Sequence, residues 1–459
     1  MADIKLYPSK LNGEIIVPPS KSMSHRAIIC ASLASGTSII ENIDFSDDIN
    51  STIKAMKILG AEITVEGKSL YIQGIKSKEI VSEFEDKKQF QYKEQFQICN
   101  NDLNNDNVNC EKNIPTIDCS ESGSTLRFIV PIFSALSKPV RYIGRGNLGK
   151  RPLNIYYKIF DEQNIRYKFK RNELDLTVLD NLKSGEFYID GNVSSQFISG
   201  LLFALPLLSG DSKIYITTEF ESKPYLDLTI SILKTFGVDI VNMDYREFTI
   251  KGNQKYKNCN YRVEGDYSQG AYFLCANALG SDISISGLKE ESLQGDKRII
   301  CILDSMGTSS KFVNYKLYNI SRELTGTTID ASQCPDIIPV LSLVATLSKG
   351  ETKIVNAHRL KLKECDRLEA TRLELLKLGG DIVAKEDSLI INGVDKLRGG
   401  ITVWSHNDHR IAMMLSIASC FCEEEIVLCD SECISKSYPN FYKDFIELGG
   451  KIDEWDLGK

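Results

Sequence analysis

The chain has 459 residues, a formal net charge of −7 and 42% hydrophobic residues. This length exceeds one ordinary hydrophobic core, so we expect two or three domains. The negative charge argues against a general nucleic-acid-binding protein, which needs a broad basic face, although a small basic pocket remains compatible with it. The sequence has no long apolar run, and Met1 to Asn12 lacks signal-peptide character. We therefore expect a cytoplasmic protein without a membrane partner.

The 13 cysteines are scattered along the chain. Their closest group, Cys420, Cys422, Cys429 and Cys433, has C-x-C and C-x3-C spacings that fit no common zinc pattern, and no histidine lies nearby. Free cysteines in apolar segments act as small core residues. We expect no metal site and a reducing compartment.

The stretch around Pro18 has the layout of an anion site. Prolines end an extended run, Ser20 or Ser22 can cap a helix, and Lys21 and Arg26 place positive charge in its first turns. A helix N-terminus exposes unpaired N–H groups and partial positive charge. The pattern therefore favours a phosphate or carboxylate ligand. An ordinary capped helix with solvated cations is the alternative interpretation.

Two interleaved helix patterns recur along the chain, the later copies at roughly 70 residues, which indicates an internal repeat. One pattern is an amphipathic helix closed by Gly or Asn, and the other is an apolar helix that runs into a strand. The first pattern ends at Gly60, Asn164, Gly237, Gly307, Gly379 and Gly449. The second spans 27–40, 126–143, 197–216, 271–285, 337–354 and 411–428.

Alternating strands and helices in six such units predict layered α/β packing, with the apolar helix of each unit inside. Six units would split into two domains of three, with the boundary near Tyr261 to Gly265. The first and second units are separated by more residues than the other units are. The additional length coincides with residues 76–113, which are rich in Lys, Glu, Gln and Asn. We interpret this segment as a solvated insertion.

Polar residues recur just before each apolar helix. Such helix starts, carrying hydroxyls, amides and cations, could converge on one cleft between two domains, where ligands usually bind. Further basic residues would suit a substrate with several negative charges, because Arg pairs with phosphate and carboxylate. The helix starts are 20–26, 122–127, 194–196, 266–269, 335–336 and 407–410, and the further basic residues are Arg151, Lys363, Arg367 and Lys436.

The Gly-rich segment from Gly144 to Lys150 matches a dinucleotide pattern and the first seven positions of a P-loop. The P-loop match fails at Arg151, where Ser or Thr should bind magnesium. The dinucleotide match fails because the expected acidic residue would fall in the basic stretch Arg166 to Arg171. We expect no nucleotide site here.

Taken together, the motifs resemble those of the enolpyruvyl transferases, and within them the enzymes that act on shikimate 3-phosphate. They occur in family order and span the chain apart from the insertion. The matching segments are Pro19–Arg26, Ser122–Arg127, Lys150–Pro152, Ser194–Phe197, Ser222–Tyr225, Glu264–Asp266, Lys363–Arg367, Asn407–Arg410 and Lys436–Pro439.

The resemblance implies a fold of two inside-out α/β domains, each of three βαβαββ repeats, joined by a two-strand hinge. The N-terminal lobe would comprise residues 20–263, with a polar insertion at about 76–113. The C-terminal lobe would comprise residues 1–19 plus 264–459. The chain would cross the hinge near Pro19 and near Glu264.

The resemblance also implies transfer of the enolpyruvyl group of phosphoenolpyruvate to the 5-hydroxyl of shikimate 3-phosphate by a monomer, with no metal or organic cofactor. The implied catalytic residues are Asp336, Glu364 and Lys21. Phosphoenolpyruvate would be bound by Lys21, Gly123, Arg151, Gln196, Arg367, Arg410 and Lys436. Shikimate 3-phosphate would be bound by Lys21, Ser22, Arg26, Ser194, Ser195, Gln196, Ser222, Tyr225, Asp336 and Lys363.

Two positions depart from the family pattern. Glu121 stands where many relatives have Asn, and an acid there could weaken phosphoenolpyruvate binding or point away. Arg359 stands where some relatives have a substrate-binding Asn, so no role is transferred to it.

Three alternatives remain: a transferase acting on UDP-N-acetylglucosamine, a non-catalytic phosphosugar-binding protein of the same fold, and a structural repeat protein. The first has Lys-Asn where this chain has Lys21-Ser22. Retention of Asp336, Glu364 and Lys21 argues against the other two, since anion binding alone does not need carboxylates in a basic cleft.

Overall fold

The structure is a computed structural model that describes residues 3–75, 114–136, 138–170 and 172–455. Within these ranges the strands form six four-stranded sheets. In chain order the strands are β1 (Asp3–Tyr7), β2 (Asn12–Ile16), β3 (Thr37–Glu41), β4 (Glu62–Glu66), β5 (Ser69–Gln73), β6 (Thr116–Asp118), β7 (Val140–Ile143), β8 (Tyr167–Phe169), β9 (Asp175–Val178), β10 (Glu186–Ile189), β11 (Ser212–Ile216), β12 (Ile240–Met243), β13 (Glu247–Ile250), β14 (Asn260–Arg262), β15 (Asp282–Ser286), β16 (Ser309–Val313), β17 (Lys316–Ile320), β18 (Thr328–Asp330), β19 (Glu351–Val355), β20 (Asp381–Ala384), β21 (Leu389–Asn392), β22 (Ile401–Trp404), β23 (Ile426–Cys429) and β24 (Lys451–Trp455).

The α-helices alternate between the two predicted patterns. Those of the described residues are α1 (Lys21–Leu33), α2 (Asp47–Leu59), α3 (Gly123–Ala135), α4 (Asn154–Gln163), α5 (Ser195–Ala204), α6 (Lys223–Thr235), α7 (Tyr267–Ala278), α8 (Arg298–Met306), α9 (Ile338–Thr346), α10 (Arg367–Lys377), α11 (His409–Ser419) and α12 (Phe441–Glu447).

One unit shows how each repeat is built. In the second unit β6 runs parallel to β7, β7 pairs antiparallel with β9, and β8 closes the edge beside β9. Helix α3 connects β6 to β7, and α4 connects β7 to β8. This βαβαββ order confirms the predicted repeat and the α/β fold class.

Three sheets borrow a strand from a distant part of the chain. Strand β1 lies between β23 and β24, β2 pairs parallel with β15, and β14 pairs parallel with β3. The sheets thus form two groups of three, one built from β3–β14 and the other from β1, β2 and β15–β24. The chain passes twice between these two groups. At these passages Pro19 and Gly265 form an antiparallel bridge, and the amide of Ser20 donates to the carbonyl of Glu264 at 2.8 Å. This is the two-strand hinge that the resemblance implies.

Buried apolar side chains form two separate clusters. One contains residues between Met23 and Val263, and the other contains Ile4 to Val17 together with residues from Tyr267 to Leu448. The lobe boundaries at 19/20 and 263/264 stay a prediction, and the insertion at 76–113 lies outside the described residues. No helix in the described ranges is long and apolar enough to cross a membrane.

The helix ends follow the sequence with one exception. All six predicted closing residues, from Gly60 to Gly449, have positive φ, as expected for left-handed C-terminal caps. Ser20 is the N-cap residue of α1, but its hydroxyl makes no capping hydrogen bond. The carboxylate of Asp266, on the other hinge strand, instead accepts the backbone amide of Lys21 at 3.0 Å.

Candidate active site

The starts of all six apolar helices line a single cleft, as the helix-start pattern predicted. The cleft has a volume of about 950 Å³, including space that opens to solvent. The lining residues from the six helix starts are Lys21 and Ser22, Gly123 and Ser124, Ser194 to Gln196, Asp266, Asp336, and His409 with Arg410. The partial positive charge of these helix starts adds to the positive charge of the lysine and arginine side chains in the cleft.

Most of the predicted site residues are brought together in this cleft. Two of them, Ser222 and Lys436, do not line it, and both are held by neighbouring charged side chains. The predicted residues that line it are Lys21, Ser22, Arg26, Gly123, Arg151, Ser194, Ser195, Gln196, Tyr225, Asp336, Lys363, Glu364, Arg367 and Arg410.

Asp336 lies among three donors. Its Oδ1 accepts from Lys363 at 2.9 Å and from Arg367 at 2.8 Å, and its Oδ2 accepts from the Tyr225 hydroxyl at 3.2 Å. Burial alone would raise the pKa of this carboxyl, but the positive charges of Lys363, Arg367 and Arg410 hold the pKa well below its usual range. The carboxylate is therefore ionised near neutral pH and able to accept a proton.

Glu364 is held by the same arginine. Its Oε2 accepts from Arg367 at 2.6 Å, and its Oε1 lies 3.5 Å from Arg151 Nη1. Burial opposes ionisation, but Arg367 and Arg151 keep the pKa of Glu364 well below its usual range. Arg367 also donates to Asp408 at 2.7 Å, so one guanidinium at the start of α10 orders three carboxylates.

Lys21 is paired with an acid that no sequence motif marked. Its Nζ donates to Asp48 Oδ2 at 2.8 Å. Asp48 lies in the first turn of the amphipathic helix α2, where an acid is the ordinary complement of the helix dipole.

His409, on the wall of the same cleft, is buried, and burial together with the charge of Lys21 holds its pKa well below the usual value. His409 is therefore neutral at pH 7.

Arg26 is fixed from three directions. Its Nε donates to the Thr229 hydroxyl at 2.8 Å, its Nη1 to the carbonyl of Ser22 at 2.7 Å and its Nη2 to the carbonyl of Tyr225 at 3.2 Å. The guanidinium also lies 5.0 Å from the ring centroid of Phe128. No acidic side chain is among these partners in the part of the chain that the structure describes, so the charge of Arg26 is available to an anionic ligand.

Arg127 and Gln196 form a second polar pair. Arg127 Nη1 donates to Gln196 Oε1 at 2.7 Å, and Gln196 Nε2 donates to the Ser124 hydroxyl at 2.8 Å. The arginine stood in a quoted motif but received no role from the sequence. The hydrogen bond joins it to the predicted ligand Gln196, and Arg127 itself lines the cleft.

Arg359 enters the cleft beside Ser222. Its Nη1 donates to the Ser222 hydroxyl and lies 3.8 Å from Glu221 Oε2, while its buried Nε has no hydrogen-bond partner among the described residues. Only 7% of the residue is exposed. A buried guanidinium with unused donors is a group that can bind an anion.

The sequence contained a signal for some of the site residues that were not predicted, but not for all of them. Arg127, Asp266 and His409 belong to the quoted helix starts and could have been chosen from them. Asp48 had no signal beyond its place in a helix first turn, and Arg359 had only its departure from the family pattern. Within the described ranges, no group of three or more His, Cys, Asp and Glu residues is arranged to hold a metal ion.

Solved structures of similar shape show the fold. The structure matches an EPSP synthase from Acinetobacter baumannii with a TM-score of 0.75, 22% identity and coverage of 99% of this chain and 100% of that chain. It also matches the enolpyruvyl transferase NikO from Streptomyces tendae with a TM-score of 0.74, 15% identity and 99% coverage of both chains.

Sequence comparison adds the family. A curated protein from Clostridioides difficile (strain 630), named 3-phosphoshikimate 1-carboxyvinyltransferase, is 59% identical over 459 residues and all of both chains. One of the same name from Clostridium botulinum (strain Alaska E43 / Type E3) is 56% identical over 463 residues, again with 100% coverage of both. The family model described as EPSP synthase (3-phosphoshikimate 1-carboxyvinyltransferase) matches residues 6–92 and 91–445. The chain therefore belongs to the EPSP synthase family.

Proposed function

We propose that this protein transfers the enolpyruvyl group of phosphoenolpyruvate to the 5-hydroxyl of shikimate 3-phosphate and releases phosphate. The observation that carries the proposal is the pair of ionised carboxylates, Asp336 and Glu364, ordered by one arginine inside a cationic cleft. An anion-binding protein gains nothing from carboxylates at this place, because they repel its ligand. A transferase that must move protons at two substrates needs them.

The charge of the cleft suits these two substrates. Eight lysine and arginine side chains line it, against four Asp and Glu side chains. The substrates bring two phosphates, at about −1.5 to −2 each, and two carboxylates. Ligand charge thus balances a cleft that is strongly positive when empty, although the whole chain carries −7.

The reaction begins with addition. The 5-hydroxyl oxygen bonds to C2 of phosphoenolpyruvate while Asp336 takes the hydroxyl proton and C3 gains a proton. C2 then carries the phosphate, the carboxylate, a methyl group and the new ether oxygen. Loss of phosphate and of a C3 proton restores the double bond. Asp336 is ionised in the empty cleft and can therefore take up this proton, and it becomes a stronger base as the substrates offset the charge of its neighbouring cations.

Glu364 and Lys21 are the candidates for proton transfer at C3 and at the departing phosphate. Glu364 is ionised while Arg367 and Arg151 face it. A phosphoenolpyruvate molecule bound to these arginines would offset their charge, so the pKa of Glu364 would rise toward that of a proton donor. Binding of phosphoenolpyruvate would thus favour the protonated form of Glu364, which can donate a proton.

The remaining side chains bind and orient. We assign phosphoenolpyruvate to the Arg367 side of the cleft and shikimate 3-phosphate to the Arg26 side, with Lys21 and Gln196 shared between them. The phosphoenolpyruvate ligands are Lys21, Gly123, Arg151, Gln196, Arg367, Arg410 and Lys436. The shikimate 3-phosphate ligands are Lys21, Ser22, Arg26, Ser194, Ser195, Gln196, Ser222, Tyr225, Asp336 and Lys363.

We further propose that residues 20–263 and residues 1–19 with 264–459 act as two lobes that close on the substrates. The two apolar clusters support this division. Two contacts between the lobes are exposed hydrogen bonds: Asn147 donates to the carbonyl of Glu364 at 2.8 Å, and Ser435 donates to Asp47 at 2.7 Å. Polar contacts of this kind separate at little cost. A monomeric state in the cytoplasm completes the proposal.

The alternatives are not favoured. The full-length relatives are named for the shikimate reaction, whereas a UDP-N-acetylglucosamine transferase would differ at Lys21-Ser22. A phosphosugar-binding protein would not need the ordered pair Asp336 and Glu364.

A phosphate-release assay tests the proposal. Purified protein with phosphoenolpyruvate, shikimate 3-phosphate and a chelator should release phosphate, and shikimate without its phosphate or UDP-N-acetylglucosamine should support little release. Folded protein that releases no phosphate from the first pair, or more from UDP-N-acetylglucosamine, would contradict it.

A further inference from the structure

We propose that Glu121 is a positioning residue that holds the ammonium of Lys436 for phosphoenolpyruvate across the gap between the lobes. The inference rests on the proposed function. It assigns a role to the acid that departs from the family pattern, and it explains the Gly-rich turn at 144–150 that matched nucleotide motifs without fitting them.

The side chains form a compact group close to the cleft, although none of the three lines it. Lys436 Nζ donates to Glu121 Oε2 at 2.8 Å and to the carbonyl of Asn407 at 2.7 Å. The Asn407 side-chain amide lies 3.3 Å from Glu121 Oε1. Gly123 and His409, each two residues further along the chain, line the cleft itself. Glu121 thus reaches from the start of one apolar helix to a lysine anchored beside the start of another.

The geometry leaves Lys436 one donor. An ammonium has three N–H groups, and within the described residues two of them are used by Glu121 and the Asn407 carbonyl. Only 8% of Lys436 is exposed, and a buried charge without an ionic partner is costly. Glu121 therefore offsets the charge of the buried ammonium and holds it in place, while the third N–H stays available to a phosphate oxygen.

The Gly-rich turn is shaped around this carboxylate. Gly146 has φ of +57°, and a Cβ built on it would lie 2.5 Å from Glu121 Oε2. The next residue, Asn147, donates to the carbonyl of Glu364. The turn thus packs one side chain against a proposed catalytic residue and clears space for the acid that holds Lys436.

Kinetics of four variants test the role: Glu121→Ala, Glu121→Gln, Lys436→Ala and the double variant of Glu121→Ala with Lys436→Ala. Glu121→Ala should raise the KM for phosphoenolpyruvate at least about tenfold, the value of a lost charge-assisted hydrogen bond, and change the KM for shikimate 3-phosphate less than about twofold. Glu121→Gln keeps an acceptor and should recover most of the loss. In a Lys436→Ala background, Glu121→Ala should cause no further loss, because its effect passes through that lysine.

A backbone pair supplies a matched control. Gly146→Ala should displace the Glu121 carboxylate and reproduce the higher KM for phosphoenolpyruvate. Gly67 has φ of +58° with nothing within 4 Å of its built Cβ. Gly67→Ala therefore imposes the same backbone strain and should leave both KM values unchanged.

A chemical measurement tests the contact without turnover. In the ligand-free protein, acetylation of Lys436 by acetic anhydride, followed by mass spectrometry against the exposed Lys385, should be several-fold faster in Glu121→Ala than in wild type. Equal labelling, a KM for phosphoenolpyruvate that falls or stays unchanged, or additive losses with Lys436→Ala would each overturn the inference. A wild-type protein without turnover would contradict the proposed function instead, and labelling would then decide the contact alone.

Discussion

The guanidinium of Arg367 donates a hydrogen bond to the carboxylate of Asp336, with 2.8 Å between Nη1 and Oδ1. In our proposal Arg367 binds phosphoenolpyruvate and Asp336 accepts a proton from shikimate 3-phosphate. This contact therefore joins the two halves of the site. A bound phosphoenolpyruvate would draw Arg367 toward itself and so strengthen Asp336 as a base at the moment when both substrates are present.

Replacing Asp336 with Asn should lower kcat at least about a hundredfold, because the amide keeps the shape of the side chain but cannot accept the hydroxyl proton. Steady-state kinetics give kcat, and calorimetry gives the Kd for shikimate 3-phosphate, which should change less than about threefold. Asp395→Asn, at an exposed position, is the control. A Kd that rises as far as kcat falls would show that Asp336 positions the ligand rather than moving its proton.

Replacing Arg359 with Asn should raise the KM for shikimate 3-phosphate about tenfold and leave the KM for phosphoenolpyruvate nearly unchanged, because its donors lie beside Ser222 on the shikimate side. Arg322→Asn, at an exposed position outside the cleft, is the control. A variant whose KM changes for phosphoenolpyruvate alone would contradict the placement of Arg359.

Gly123→Ala should raise the KM for phosphoenolpyruvate by about tenfold. A Cβ at this position would lie 2.7 Å from Arg151 Nη1, so the guanidinium must move away from the substrate. In an Arg151→Ala background the same substitution should add little. Two independent losses would show that Gly123 acts on phosphoenolpyruvate by another route.

Asp296 should make stability depend on pH. Burial, and then the negative charge of Asp336, raise the pKa of this carboxyl to about 7, although Ser268 and Arg410 oppose the shift. In the folded protein the Asp296 carboxyl keeps its proton up to about pH 7, whereas in the unfolded chain it loses the proton at about pH 4. The stability contributed by the neutral acid is thus fully present below about pH 4 and is lost as pH rises toward 7.

Asn at position 296 has no proton to lose. The Tm of Asp296→Asn relative to wild type should therefore increase between about pH 4 and pH 7 and stay level above that, as thermal denaturation at several pH values can measure. A difference in Tm that is independent of pH would mean that Asp296 is ionised in the folded protein throughout this range.

The repeat and the cleft were predictable because their signals are local. A helix closed by Gly60 or Asn164 requires a residue that tolerates positive φ. Six polar helix starts in equivalent places of a repeat can converge on one cleft between domains, where ligands usually bind. The fold class and the convergence of these starts followed from such positions, and the structure confirms both.

Side-chain partners from distant segments were not predictable. Ser20 is followed by helical residues, yet the amide of Lys21 is capped by Asp266, 245 residues away. The pairing of Lys21 with Asp48 and the packing of Arg359 against Ser222 likewise depend on how separate units approach. The charge and spacing of residues along the chain do not determine the distances between side chains of separate units.

The most direct test of the central claim follows both substrates by ³¹P and ¹H NMR in D₂O with chelator present. Addition followed by elimination makes C3 a methyl group for a time, so it must exchange protons with the solvent-derived acid. We predict equal consumption of phosphoenolpyruvate and shikimate 3-phosphate, equimolar phosphate, and deuterium in the methylene group of the enolpyruvyl product. Phosphate release without an enolpyruvyl ether, or a product free of deuterium at C3, would contradict the account.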